Sequence, residues 1–162
     1  MADTVPIRRS KTIFDEIGRM QDRIMRRAYE IFSENGQLFG KELDDWMQAE
    51  GELVWKPSVE LTEKDDMFRI EVAAPGVDPK NIDIEVTPED ILIKADIHHD
   101  HREEEGHVHI CEFAQGNLFR SIHLPKTIEP EKVKADFKNG MLTLNAPVAE
   151  EARTKKVAIE AA

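Results

Sequence analysis

The feature that most constrains the fold is a change of hydrophobic period near Pro57. After it, apolar and polar residues alternate in short runs such as Ile82–Val86 and Ile91–Ile97, which is typical of half-buried β-strands. Turn signals separate the runs, and the strongest is Asn139-Gly140, a pair that tight β-hairpins prefer. Antiparallel strands at this spacing predict an all-β fold, an immunoglobulin-like β-sandwich over residues 57–147.

Before Pro57 the hydrophobic period is helical, so residues 1–56 are predicted to form an α-helical N-terminal arm. The first helix begins near Thr12, a candidate N-cap, and ends at Asn35-Gly36. The second helix covers about Lys41–Val54, and Pro57 closes it because proline disfavours helical geometry in the residue before it. Residues 148–162 are mostly polar and are predicted to be a flexible C-terminal tail.

Charge and composition exclude several classes of protein. The 162 residues carry a formal net charge of −11, which argues against nucleic acid as a partner. Residues 1–29 differ from the rest, because seven cations and four acids give them a net charge of +3. No apolar run reaches the roughly 18 residues of a membrane span, and Met1–Ser10 has no secretory signal. A single cysteine, Cys111, suits a reducing compartment, so we expect a cytoplasmic protein.

No catalytic motif is recognisable in the sequence. The segment Gly36–Glu42 is one residue short of a phosphate-binding loop and lacks the hydroxyl residue that would hold magnesium. Ser121 and His123 would share one strand face, but no acid lies at a recognisable spacing to orient the histidine. We therefore expect neither enzymatic activity nor a cofactor.

Five histidines and Cys111 lie within fourteen residues: His98, His99, His101, His107 and His109. Imidazole and thiolate are suitable ligands for zinc or copper, and several imidazoles also gain charge near pH 6.5. On a strand, His107, His109 and Cys111 would point the same way. The spacing matches no closed structural zinc site, however, and the acidic residues between them favour an exposed loop. We therefore assign no metal ligand, while a metal site and a pH sensor stay open.

Six segments resemble the strands, turns and tail of the small heat-shock protein, or α-crystallin-type, family of molecular chaperones. The most specific is the A-x-x-x-N-G-x-L element, here Ala135–Leu142, with Met141 where valine is commoner. The others are Phe68–Val77, Asn81–Val86, Ile91–Ala95, Phe119–Pro125 and the tail motif Val157-Ala158-Ile159. The resemblance covers residues 57–147 strongly and implies the β-sandwich of that family, the α-crystallin domain.

The resemblance also implies a function and a way of pairing. Members bind partly unfolded proteins without ATP, as holdases, and work as large homo-oligomers. Their subunits pair by exchanging a strand within a loop that corresponds here to about residues 99–113, which would place His107, His109 and Cys111 at the dimer interface. Arg120 resembles the family arginine that faces acids of the partner, although an ordinary strand-surface arginine is the alternative.

The tail motif implies a second contact between subunits. Val157 and Ile159 would point to one side of an extended segment and dock into a groove of a neighbouring sandwich. In this chain the groove would be formed by Ile82 and Ile84 facing Val133 and Ala135. Burying two such side chains contributes roughly 1.5–3 kcal/mol each before ordering costs. Single contacts of this strength are weak, and many in a closed assembly are strong.

We predict that the apolar residues of the arm bind unfolded client proteins, because methionine-bearing apolar stripes adapt to varied partners. The candidates are Ile13, Phe14, Ile17, Met20, Ile24, Met25, Phe32, Leu38, Phe39, Trp46 and Met47. The alternative is that this stripe only packs against its copies in the oligomer. A membrane-surface helix is a further alternative, but acids interrupt its basic face, so a membrane partner is not favoured. An adaptor module on a similar sandwich fits the tail motif poorly.

Overall fold

Two five-stranded β-sheets face each other in the computed structural model, which describes residues 1–113, 116–155 and 158. The strands are β1 (Asp3–Thr4), β2 (Ile7–Arg9), β3 (Val54–Trp55), β4 (Val59–Lys64), β5 (Met67–Ala73), β6 (Ile82–Val86), β7 (Asp90–Ile97), β8 (Gly116–His123), β9 (Lys134–Lys138) and β10 (Met141–Pro147). One sheet has the order β1-β9-β10-β5-β4 and the other has the order β2-β6-β7-β8-β3. The predicted antiparallel β-sandwich is confirmed, apart from two short parallel pairings at the edges of the second sheet.

The core lies between the sheets and follows the alternation in the sequence. Along β10, for example, Leu142, Leu144 and Ala146 are fully buried, while the residues between them are more exposed. The Asn139-Gly140 turn joins β9 to β10, and both of its residues have the positive φ that a type I′ hairpin requires. The hairpin prediction is therefore confirmed, with Leu142 paired to Phe137 across it.

Two helices precede the sandwich, as the sequence predicts: α1 (Phe14–Glu34) and α2 (Glu42–Leu53). They pack together around a small separate core of Met20, Ile24, Ile31, Ala49 and Val54. Phe119 of β8 packs against this cluster, so the helical arm lies on the outer face of the second sheet. The N-cap position is Ile13, one residue later than the predicted Thr12, and the Thr12 hydroxyl accepts a hydrogen bond from the Phe14 amide.

The structure differs from the sequence prediction at both ends of the sandwich. Residues 3–9 are not helical, because they form β1 and β2 and join both sheets. At the other end, residues beyond 147 still pack on the sandwich, since Val148 is fully buried and its amide donates to the Asp66 carbonyl at 2.9 Å. A 3₁₀ turn over Glu150–Ala152 follows. The part of the chain that the structure describes contains no helix long and apolar enough to cross a membrane.

Candidate functional site: the sheet edges and the helical arm

Residues 3–10 close one long side of the sandwich. The Val5 amide donates to the Ala135 carbonyl of β9 at 3.0 Å, and the Ser10 amide donates to the Val86 carbonyl of β6 at 2.9 Å. Ile7 lies opposite Ile84 in the parallel pairing of β2 with β6. One short segment therefore crosses from the edge of the first sheet to the edge of the second.

The side chains of this segment complete the core. Val5 is 2% exposed and belongs to the same buried cluster as Ile84 and Ala135, and Ile7 packs against that cluster while half-buried. Pro6 lies between them at the crossover, where a residue without an amide donor leaves no ladder hydrogen bond unmade. The segment therefore presents a V-x-I pattern to the gap between β6 and β9.

Ion pairs on the outer surface of the sandwich hold the same segment in place. Arg8 donates two hydrogen bonds to the Asp83 carboxylate, at 2.9 and 2.6 Å. Lys94 lies 3.4 Å from Asp83 and 3.1 Å from Glu16 of α1, so the arm joins the network. The Arg8 hydrogen bonds hold the pKa of the Asp83 carboxyl below its ordinary value.

The predicted tail-accepting groove residues lie where this segment docks. Ile82 and Ile84 are on β6, Ala135 is on β9, and Val133 immediately precedes β9. All four are buried in the sandwich core. The tail residues Val157 and Ile159 lie outside the described residues.

Sequence reasoning missed Val5 and Ile7. A signal was present, because Val5-Pro6-Ile7 has the same V-x-I spacing as Val157-Ala158-Ile159. Val5 follows the two-residue β1 and Ile7 begins the three-residue β2, and both strands are too short to show a β period. The partners of these strands lie more than seventy residues away along the chain.

The opposite long side of the sandwich is open. β4 is the outermost strand of its sheet, and among the described residues it pairs with β5 alone. Five of its six residues are exposed. The loop after β7 is also exposed and carries large apolar side chains, with Ile110 82% and Phe113 69% exposed. Both surfaces leave groups that a second chain can pair with or bury.

Arg120 lies on β8 opposite Ile93 and is half-buried. Its Nε is buried and has no hydrogen-bond partner among the residues that the structure describes. Arg120 also lines a cavity of about 300 Å³ between α1 and β8, together with Ile17, Ile24 and Glu50. A buried guanidinium nitrogen without a partner is costly, so this position has capacity for an additional acceptor.

The loop after β7 brings Cys111 beside His99 and His101, whereas strand geometry would align it with His107 and His109. His107 and His109 are exposed and outside any strand, with ring centroids 5.0 Å apart. Ligand atoms of His99, His101 and Cys111 all lie within 4.8 Å of one another. The His99 ring also contacts the Phe113 ring edge-to-face at 4.8 Å.

The structure divides the eleven predicted client-binding residues into three groups. Ile13, Met20 and Ile24 are buried within this chain. Ile17, Phe32 and Trp46 are half-buried. The remaining five are exposed: Phe14, Met25, Leu38, Phe39 and Met47. The inner stripe of α1 therefore packs against α2 and β8 of its own subunit, and the outer apolar residues form a separate surface.

Two of the four arginines of α1, Arg19 and Arg27, form ion pairs within the arm. Arg27 donates to Glu52 of α2 at 2.6 Å and to Glu30 at 3.1 Å, which raises the pKa of Arg27 and lowers that of Glu52. Arg19 pairs with Glu16 at 2.9 Å. A membrane-surface role would require α1 to leave its packing against α2, since its apolar face is buried there.

The two-sheet sandwich, its Asn-Gly hairpin and its helical arm define an α-crystallin-type subunit. A family model described as the Hsp20/alpha crystallin family matches residues 60–160, so the chain belongs to that family. A second family model, described as a protein of unknown function (DUF2934), matches residues 19–53, within the helical arm.

Individual relatives agree with this assignment. Small heat shock protein C4 of Rickettsia felis is 30% identical over 106 residues, which cover 65% of this chain and 65% of that protein's length. An alpha-crystallin of Mycobacterium tuberculosis is 28% identical over 158 residues, covering 96% of this chain and 94% of that protein. Among solved structures, heat shock protein 16.0 from Schizosaccharomyces pombe superposes with a TM-score of 0.55 at 28% identity, covering 65% of this chain and 99% of that chain.

Proposed function

We propose that this protein is an ATP-independent holdase, a chaperone that binds partly unfolded proteins and prevents their aggregation as a large homo-oligomer. The observation that carries the proposal is the apolar surface of the arm, which is exposed although the arm has its own core. Phe39 is 86% exposed and Phe14 is 72% exposed, beside a well-packed sandwich. Exposed apolar surface of this kind marks an interaction site.

The arm also offers a concave part to this surface. A cavity of about 320 Å³ lies between the helices and is lined by Tyr29, Phe32, Phe39, Trp46 and neighbouring residues. Met25 and Met47, which are exposed on the same arm, are unbranched and adaptable. Aromatic and methionine side chains together suit partners of varied sequence, which an unfolded client requires.

Assembly in this proposal uses both sides of the sandwich. The loop over residues 99–113 of one subunit pairs with the open edge at β4 of another, and this buries Ile110 and Phe113. Arg120 lies near the interface and finds its missing acceptor in an acid of the partner. The tail V-x-I motif then links dimers by docking at Ile82, Ile84, Val133 and Ala135.

Light scattering of a heat-denatured client without nucleotide tests the holdase proposal. We expect stoichiometric amounts of this protein to suppress aggregation. The double variant Phe39→Ser with Met47→Ser should suppress it less, while Met141→Ser, which changes an exposed methionine of the sandwich, should match the unmodified protein. Failure of the unmodified protein to suppress aggregation would contradict the proposal. Binding to anionic vesicles without any effect on the client would favour the membrane-surface role instead.

A further inference from the structure

The groove that the tail is proposed to enter is already filled by this chain's own N-terminal segment. Val5 occupies the core between β6 and β9, and its amide bonds to Ala135. Ile7 lies against Ile84. Ile84 and Ala135 are two of the four residues predicted to accept the tail. Two V-x-I segments of one chain, residues 5–7 and 157–159, therefore have the same docking chemistry.

We propose that Val5-Pro6-Ile7 is an internal ligand of the groove that competes with the tail motif of another copy. In an isolated subunit the N-terminal segment covers the groove, and tail docking requires residues 3–9 to leave. This inference rests on the proposed tail docking and adds its regulation, because the groove's occupant decides whether subunits link.

Tethering favours the internal ligand. Only four residues separate the end of β2 from the start of α1, and Glu16 in the first turn of α1 pairs with Lys94 at 3.1 Å. So short a connection to an anchored helix gives residues 3–9 a high effective concentration at the groove. The tail of another copy must instead arrive at the ordinary concentration of subunits. Assembly therefore depends on the concentration of subunits and on any change that weakens the packing of the arm.

Docking in the isolated subunit is tested by hydrogen exchange of the full chain. The amides of Val5 and Ser10 donate to backbone carbonyls of β9 and β6, so we expect both to be protected. The variant Val5→Ala with Ile7→Ala should lose that protection. The control Thr4→Ala, which changes only an exposed side chain, should keep it. Exchange of both amides at unprotected rates in the unmodified protein would overturn the proposal.

Competition is tested with a fluorescent peptide of residues 150–162, added to full chains that carry Val157→Ser and Ile159→Ser so that their own tails do not interfere. If the groove is open in a tenth of subunits or fewer, removing the internal ligand raises peptide affinity roughly tenfold or more. We expect that gain for Val5→Ala with Ile7→Ala and no gain for Thr4→Ala.

The outcomes separate this inference from the proposal on which it rests. Equal peptide affinity for all variants would overturn the competition and leave tail docking intact. No peptide binding to any variant would overturn both tail docking and the competition. If the gain in affinity also appears with a peptide carrying Val157→Ala and Ile159→Ala, the competition is overturned, because the groove would then not be selecting the V-x-I pattern.

A separate cluster in the loop after β7 carries a second inference. His99, His101 and Cys111 offer two imidazoles and a thiolate, with all ligand atoms within 4.8 Å. They line a cavity of about 300 Å³ together with Asp100, Glu105 and Arg102, so two acids outnumber one cation in its lining. In a tetrahedral zinc site the ligand atoms lie roughly 3.5 Å apart, so small rotations of these side chains suffice.

We infer that this cluster binds a zinc ion through His99, His101 and Cys111. Three protein ligands leave one position for water or for a group from a second copy's loop. Because the same loop is proposed to form the dimer, zinc bound there would order a dimer-forming segment.

Titration calorimetry of the full chain with zinc chloride tests the site. We expect one zinc ion per chain and at least about a tenfold loss of affinity in His101→Gln and in Cys111→Ser, since each removes one of three ligands. The control variants His109→Gln and His123→Gln should bind as the unmodified protein does. Zinc should also slow alkylation of Cys111. Equal affinity in all four variants, or no binding to the unmodified chain, would overturn the assignment.

Discussion

The two long sides of the sandwich differ in how their outer strands are covered. On one side, residues 3–10 run along the edges of β9 and β6, and Val5 is 2% exposed. On the other side β4 is outermost, and five of its six residues are exposed. Both sides belong to one buried core, and a covering segment of the same chain is present on the first side.

The comparison separates two solutions to the problem of an open sheet edge. Unpaired edges invite association with other chains. The β9–β6 side is completed by a segment of the same chain, and in our proposal this segment closes a V-x-I site until it moves. The β4 side carries Glu60, Glu63 and Lys64, charges that discourage indiscriminate pairing. One side is therefore regulated by displacement, and the other is restricted by charge.

The largest expected effect is a loss of dimer affinity at the open side. Val108 and Ile110 are 46% and 82% exposed, so Val108→Asp with Ile110→Asp should change the stability of the subunit by less than about 0.5 kcal/mol. In a dimer that buries them, each unpartnered carboxylate costs about 2 kcal/mol or more. Two such costs, about 4 kcal/mol together, raise the dimer Kd roughly a thousandfold or more.

Light scattering after size-exclusion chromatography measures this change as a loss of dimers. The matched control Leu43→Asp with Met141→Asp also places two carboxylates at exposed apolar positions, but away from the loop. It should keep the assembly of the unmodified protein. If the loop variant assembles as the control does, the loop is not the dimer-forming segment.

A smaller effect is expected on the closed side. Val5→Ala removes two methyl groups from the core and should lower the free energy of unfolding by about 1–2 kcal/mol. The loss cannot exceed the free energy with which residues 3–10 dock, because that segment can come away while the sandwich stays folded. Urea denaturation measures it. Thr4→Ala, which changes an exposed neighbour, should stay within about 0.5 kcal/mol of the unmodified protein. If Val5→Ala is as stable as the unmodified protein, residues 3–10 are not docked on this side in solution.

The contrast also explains which parts of the fold could be predicted from sequence. Strands such as β6 and β10 are long enough for alternation to define them, and Asn139-Gly140 fixes the register between β9 and β10. In these elements local pattern and tertiary burial agree. The strand character of residues 3–9 depends instead on carbonyls of β6 and β9, so apolar–polar alternation along these residues could not predict it.

Sequence-based prediction of the arm and of the loop after β7 fails for a related reason. The helical period predicts the apolar face of α1, but it does not say what covers that face. Met20 is buried under α2 and β8, while Met25 is exposed. In the loop after β7 no period operates, so the meeting of His101 with Cys111 depends on the chain's path between two strands. Burial and proximity between distant segments are properties of the packed molecule.

The smallest expected effect concerns the charges that fasten the closed side. The Arg8 hydrogen bonds lower the pKa of Asp83, so the carboxylate contributes stability above the ordinary aspartate pKa, near 3.9, and loses it as the pH falls. Both side chains are substantially exposed, at 57% and 40%, so the contribution is below about 1 kcal/mol.

Lys94 also faces Asp83, and Glu85 lies 3.4 Å from Arg8, so protonation of Asp83 leaves each cation with another acid. Asp83→Asn should therefore increase exchange of the Val5 and Ser10 amides at pH 7 and have no effect at a pH well below the lowered pKa of Asp83, where the unmodified carboxyl is itself protonated. Arg8→Gln breaks the same pair from the other side and should reproduce the increase at pH 7. If the Asp83→Asn increase is equal at both pH values, the effect comes from packing, and the ion pair does not hold the segment.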